Sequence, residues 1–252
     1  MAVVICRGPS KETAVLGWDR RTDSFTLGQW LRGRIYSFRC DISPDGRHWI
    51  YFAMKGTRTW TVLAKTPYLK ALDFFEKDSA YEGGGLFESN TTYWLNDRYY
   101  SYTPQEQRTS GLKAKTGKSP YPRVIENNEC PGIYVVRLKR DGWKVDSREK
   151  GVWNFTKSLN MAWILVKRFC MTMPRHVPGR GCHSEEYALV NTATGEMAPC
   201  KNWEWADVDG NRLVWAEKGF IRCAHMTEEG LGETQDLLDC NTLAFEAREA
   251  PY

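Results

Sequence analysis

The residues most able to do chemistry in this chain are basic, and they sit in two long stretches. TPQEQRTSGLKAKTGKSPYPRVIENNECPG, residues 103 to 132, carries Arg108, Lys113, Lys115, Lys118 and Arg123, and from 106 to 123 its only acid is Glu106. TMPRHVPGRGCHS, from Thr172, brings Arg175, His176, Arg180 and His183. Clustered Lys and Arg attract phosphates and carboxylates even where the net charge of the whole protein is only +4. Both stretches are therefore candidates for meeting an acidic partner, although a long Lys-rich connection is equally what a solvated loop looks like.

A second set is acidic. Five segments open on an aromatic residue, Phe38, Phe87, Phe155, Trp203 and Phe245, and the residues that follow these are Arg39, Glu88, Thr156, Glu204 and Glu246. Two positions further on stand Asp41, Asn90, Ser158, Ala206 and Arg248. If one fold element presents each segment toward a common axis, Arg39, Glu88, Glu204, Glu246 and Arg248 surround one space. Such a ring can bind a cation or a polyhydroxyl ligand, and Asp41, Glu88, Glu204 and Glu246 offer the paired carboxylates of glycoside hydrolysis. The same charges can also form salt bridges between neighbouring elements.

What would position both sets is a repeat. DISPDGRHWIYFAMKG, residues 41 to 56, is a turn, an apolar strand and a second turn, and NWEWADVDGNRLVWAEKG, residues 202 to 219, repeats it in register. Fainter copies begin at Gly85 and Asn154, and the leading aromatics lie 49, 68, 48 and 42 residues apart. After each copy come two more strand-like pieces. The C-terminal FEAREAPY lacks its following strand while the N-terminal AVVICRG stands alone, so the two ends complete one unit. Four strands every 40 to 50 residues is the signature of propeller blades. The expected fold is all-β, a five-bladed β-propeller of four-stranded antiparallel blades, a single domain over 1–252 closed by pairing the C-terminal strand with the N-terminal one. The blades are 245–252 with 1–32, then 33–78, 81–150, 152–201 and 202–243. An all-β sandwich with Asp-Gly hairpins is the competing architecture.

Ser43-Pro44-Asp45-Gly46 and the strand after it resemble the Ser-Pro-Asp-Gly blade motif of TolB-like and WD-repeat propellers. The second copy has Val208-Asp209-Gly210 in its place, and the Trp-Asp dipeptide of WD repeats does not recur at blade ends. The resemblance implies a turn joining the innermost strand of a blade to the second one. Propellers host many unrelated functions, so it implies no activity.

Other motifs fail. His183-x-Glu185 with Pro199-Cys200 approaches the zinc-deaminase pattern, but Trp203 stands where the second cysteine belongs. Cys170, His176, Cys182, His183 and Cys200 lack standard zinc spacing, and no metal or cofactor is expected. Gly83-Gly84-Gly85 has no Gly-Lys-Ser/Thr after it and is not a phosphate loop. Trp49, Trp94, Trp163 and Trp215 sit in second-strand runs and are expected to pack between blades. Trp18, Trp30, Trp60, Trp143 and Trp153 lie nearer strand ends and are candidates for contact.

Hydrophobic residues make 42% of the chain, aromatics 13% and charged residues 26%, a folded rather than disordered composition. No run approaches a membrane span, MAVVICRGPS is too short for a signal peptide, and the eight cysteines contain no Cys-x-x-Cys pair. Reduced thiols, the cytoplasm and a monomer are therefore expected. The first functional reading is a non-enzymatic binding or scaffold propeller that recognises a protein or acidic ligand through its basic loop face. The alternative is a carbohydrate-active or other small-molecule enzyme using the channel carboxylates. Nucleic acid is the weakest partner class, because there is no recognition helix or aromatic-studded RNA motif.

Overall fold

The structure is a computed structural model that describes residues 1–7, 12–77, 79–97, 106–116, 130–149, 151–160, 162–171 and 183–252. The chain is mostly β, and among the described residues its strands form five sheets, the blades of a five-bladed β-propeller. It divides into two compact units, Met1–Arg137 with Ala244–Tyr252, and Leu138–Leu243.

In the first unit, β1 (Ala2–Arg7), β2 (Glu12–Asp19) and β3 (Ser24–Arg32) make an antiparallel sheet in chain order. The second sheet holds β4 (Arg34–Ile35), β5 (Asp41–Ile42), β6 (His48–Lys55), β7 (Arg58–Lys65) and β8 (Ala71–Lys77). Trp49 to Ala53 of β6 are all buried, the mark of a strand covered on both faces. Because side chains alternate along a strand, Trp49, Tyr51 and Ala53 join a core with Val15 and Ile35, while Ile50 joins one with Phe75, Phe87, Tyr93 and Leu95. One strand thus stitches the second sheet to both its neighbours.

The turn before β6 is saturated with hydrogen bonds. Ser43 Oγ donates to Asp45 Oδ1 (2.6 Å), Arg47 N donates to the same oxygen (3.1 Å), and His48 N donates to Ser43 Oγ (3.0 Å). Gly46, at φ 71°, allows the chain to reverse. Asp45 N donates to Asn90 Oδ1 (2.9 Å) in the following blade, so the Ser-Pro-Asp-Gly turn also fixes the spacing of its neighbour.

The third sheet is built on β9 (Gly85–Ser89) and β10 (Thr92–Leu95). Gly83, Gly84 and Gly85 precede and open it, and a Cβ at each would meet, respectively, the Phe52 ring, Arg39 O and Trp94 O at 2.2 Å. The triplet is a close-packing device. Two further strands, β11 (Glu106–Arg108) and β12 (Lys113–Lys115), come from the long basic stretch. β11 pairs antiparallel with β8 at the edge of the second sheet, and β12 pairs parallel with β10.

GIYVVRLKR, in the blade expected over 81–150 to be built of strands, is instead part of a helix, α1 (Cys130–Arg140). Its neighbours explain the change. Ile133 and Val136, three residues apart, pack with Leu86 and Trp94, whereas Tyr134 meets Phe38 edge-on (4.8 Å) and Arg137 donates to Ser37 O (3.1 Å) and to Cys40 O. Helical spacing satisfies two faces at once, and this tertiary demand overrides the β-branched composition. Among the described residues, no helix is long and apolar enough to cross a membrane.

The C-terminal segment is a correction. FEAREAPY forms no strand and no ladder with β1. It lies against β3 through side chains: the Phe245 ring is 5.9 Å from that of Trp30, and the Arg32 guanidinium is 4.2 Å above Phe245. Arg248 donates to Leu27 O (2.7 Å), Gln29 donates to Arg248 O (2.8 Å) and Tyr252 Oη donates to Lys70 O (2.7 Å). Glu, Ala, Arg and Pro are poor strand formers, and Pro251 has no N–H to give a ladder.

In the second unit the fourth sheet runs β13 (Lys144–Glu149), β14 (Val152–Ser158), β15 (Trp163–Cys170), β16 (Ser184–Asn191) and β17 (Met197–Pro199). β13 was expected in blade three, but it pairs with β14. The fifth sheet holds β18 (Trp203–Asp209), β19 (Arg212–Glu217), β20 (Phe220–Thr227), β21 (Gly230–Leu231) and β22 (Gln235–Asp239). The expected core tryptophans Trp49, Trp94, Trp163 and Trp215 are buried, as are Trp18, Trp143 and Trp153, which are therefore packing residues and not surface contacts. Cys40, Cys130, Cys170, Cys200 and Cys223 are free thiols, but Cys6 is in a disulfide, as is Cys240, which corrects the expectation of reduced cysteines throughout.

Two outcomes follow from these contacts. Deleting residues 245–252 is expected to lower stability by roughly 2–4 kcal/mol, the sum of several hydrogen bonds and the aromatic contact, read as a reduced urea midpoint. Asp45 is held below the usual carboxylate value: burial is the largest influence and pushes it up, but Ser43 and the Arg47 N–H and charge outweigh it. A depressed acid stabilises the fold above its unfolded value, about 3.9, and loses that contribution as pH falls through the lower folded value. Wild type should therefore lose more stability over that acid window than Asp45→Asn, and equal losses would contradict this.

Candidate functional site

The described part of the basic stretch is a strap held down by one carboxylate. β8 has the burial alternation of a strand with one inward face, and Asp73, Phe75 and Lys77 occupy it. Asp73 has no exposed surface. Its Oδ1 accepts from Thr109 N and Ser110 N (both 2.9 Å), and its Oδ2 accepts from Tyr93 Oη and Ser110 Oγ (both 2.6 Å). Thr109 Oγ1 donates in turn to Leu72 O (2.6 Å), and Lys113 N donates to Thr91 O (2.9 Å). A buried carboxylate is tolerated when such donors surround it. The clamp joins β8, β10 and the strap.

The strap carries cations outward. Arg108 is exposed with its guanidinium 5.4 Å from the Phe75 ring centroid, and Lys113 is exposed on β12. Lys115 pairs with Glu88 (2.5 Å) and so part of its charge is already met. Lys118, Arg123, Arg175, His176 and Arg180 lie outside the described residues. His183 is buried, with Nδ1 2.5 Å from Met171 O and its ring 5.5 Å from that of Phe169. The 103–132 stretch is thus not simply a projecting loop: its described residues edge the second sheet and fill a strand position in the third.

The aligned charged residues take separate roles. Arg39 is 3% exposed; its Nη1 donates to Ala80 O (2.8 Å) and Glu82 O (2.7 Å), its Nε donates to Cys130 Sγ (3.1 Å), and its guanidinium lies 4.8 Å from the Phe52 ring centroid. Asp41 is buried and accepts from Phe87 N (2.7 Å). Glu88 is engaged by Lys115, Glu246 is exposed and pairs with Arg248 (3.1 Å), and Glu204 is exposed on β18. Among the described residues, no three His, Cys, Asp or Glu side chains are grouped to hold a metal; His176 and Cys182 lie outside them. Burial, the largest influence, pushes the Cys40 thiol up to about 12 and that of Cys200 up to about 11, so both are protonated at neutral pH.

No protein-family profile matches the chain, and no curated protein does. Among solved structures the chain is similar to TolB from Acinetobacter baumannii, at 12% identity and a TM-score of 0.32, with 92% of this chain and 64% of that one covered. The chain therefore spans less than two thirds of that protein's length, and a likeness this loose adds nothing to what the sheets themselves display.

Sequence reasoning passed over Asp73. The signal was present, since an acid in the inward phase of LKALDFFEK must be either a misplaced charge or an anchored one. Asp73→Ala should cost roughly 2–4 kcal/mol, because one buried and three part-buried donors lose their acceptor, whereas Tyr93→Phe should cost about 1 kcal/mol. Hydrogen exchange at residues 106–115 should accelerate in Asp73→Ala, and unchanged protection there would show that the clamp does not hold the strap.

Proposed function

We propose that this protein is a non-enzymatic binding propeller that recognises an acidic protein or ligand through its basic strap. The supporting observation is that Arg108 and Lys113 are exposed on a segment fixed to two sheets by Asp73. Cations on an immobile backbone lose less freedom on binding than cations on a solvated loop, so more of the electrostatic attraction survives as affinity. The engagement of Asp41, Glu88 and Glu246 by neighbouring donors weighs against the reading in which they act as acid and base.

Immobilised poly-glutamate is a suitable acidic probe. Arg108→Glu with Lys113→Glu should weaken its binding by more than about tenfold at low salt, and added salt should weaken the wild type progressively. Lys115→Ala should change it much less, because Lys115 is already paired with Glu88. If the double variant binds as well as wild type, the strap is not the recognition surface. Preference for single-stranded DNA over poly-glutamate at equal salt would move the partner to nucleic acid.

A further inference from the structure

The first unit contains a cleft of about 800 Å³ on the side of the Ser-Pro-Asp-Gly turn, lined by residues that include Arg47, His48, Lys65, Thr66, Tyr68 and Tyr252. Its volume falls in the range of small-molecule sites. The ladder brings its cations together, because His48 pairs with Lys65 across β6 and β7, and Thr66 N donates to Arg47 O (2.9 Å).

The acids of the cleft are already satisfied. Asp19 is held by Arg21 through two contacts (3.1 and 2.9 Å), and the Arg21 hydrogen bond lowers its pKa to about 2. Asp45 is bonded within its own turn and lies 3.8 Å from Arg47 Nε through its second oxygen. The Arg47 side chain is nevertheless 81% exposed. Lys65 has no carboxylate partner among the described residues, and its ammonium lies 4.8 Å from the Tyr252 ring centroid. Burial, the largest influence, lowers the His48 pKa, so this imidazole is neutral near pH 7 and leaves the positive charge to Arg47 and Lys65.

The remaining lining is aromatic and hydrogen-bonding. Tyr68 and Tyr252 meet edge to face at 6.0 Å. His48 Nδ1 and Thr66 Oγ1 are buried atoms of the lining residues that make no hydrogen bond to the protein. Two available cations beside two tyrosine rings match an anion carried on a ring.

We infer that this cleft binds a phosphate-bearing ring compound of about nucleoside monophosphate size, with Arg47 and Lys65 on the phosphate and Tyr68 and Tyr252 against the ring. The site is distinct from the strap, and its test is independent of poly-glutamate binding. Isothermal titration calorimetry at fixed ionic strength, with AMP, adenosine and inorganic phosphate as separate titrants, examines both halves of the ligand. AMP should bind at least about tenfold more tightly than either adenosine or phosphate. Arg47→Gln and Lys65→Gln should each weaken AMP by about tenfold with only a small loss in thermal midpoint, since both side chains are exposed and make single weak contacts, and Tyr68→Leu should bring AMP toward the affinity of phosphate. Phosphate binding as tightly as AMP, AMP affinity unaltered in both charge variants, or no AMP heat up to about 1 mM would each overturn the assignment.

Discussion

A carboxylate with no exposure to water must have its charge met from inside, and Asp73 imposes that condition on the first unit. Its donors come from two places apart in sequence, Tyr93 on β10 and Thr109 with Ser110 on the strap, which meet at β8. Hydrophobic contact alone would permit the second and third sheets to slide, because apolar packing is non-directional. Four directed bonds to one group fix the register instead. The strap that edges the second sheet and the strand it contributes to the third are consequences of where those bonds must end.

Arg39 meets the complementary condition for a cation. It lies in the 3₁₀ turn between β4 and β5, and it reaches the carbonyls of Ala80 and Glu82 and the thiol of Cys130. The segment that carries those carbonyls must pass very close, which is why Gly84 stands with its Cα against Arg39 O. Helix α1 is drawn to the same place by Tyr134 on Phe38 and Arg137 on the Ser37 and Cys40 carbonyls. A buried arginine, a glycine triplet and a helix in the place of an expected strand are therefore one arrangement.

The blade strands were legible because their signals are local. Asp-Gly turns, alternating burial and runs such as Trp49–Ala53 follow from backbone geometry and from which faces are covered. The helix was not legible, since Ile133, Val135 and Val136 favour a strand until Leu86 and Trp94 offer a helical groove. The site fared likewise. Aligning Arg39 with Glu88, Glu204 and Glu246 assumed that equivalent positions share an environment, yet Arg39 is buried among backbone acceptors while Glu246 is exposed beside Arg248. Even the backbone differs among these positions, since Arg39 lies in a 3₁₀ turn, Glu88 and Glu204 lie on strands, and Glu246 lies in no strand. Nor does equivalence in a repeat fix the charges around a residue, which depend on unrepeated pieces such as the strap.

The Ser-Pro-Asp-Gly turn shows how one local motif serves both levels. Asp45 spends one oxygen on Ser43 and the Arg47 N–H, which shapes the turn, and its own N–H ties that turn to Asn90 of the next blade. With the carboxylate so occupied, the Arg47 guanidinium is restrained only by a 3.8 Å approach and remains largely in solvent. The bonds that make the turn rigid are thus the ones that leave a neighbouring cation available, on a backbone whose position Lys65 and Thr66 share through the ladder. Rigidity of the fold and availability of charge in the cleft come from the same small set of hydrogen bonds.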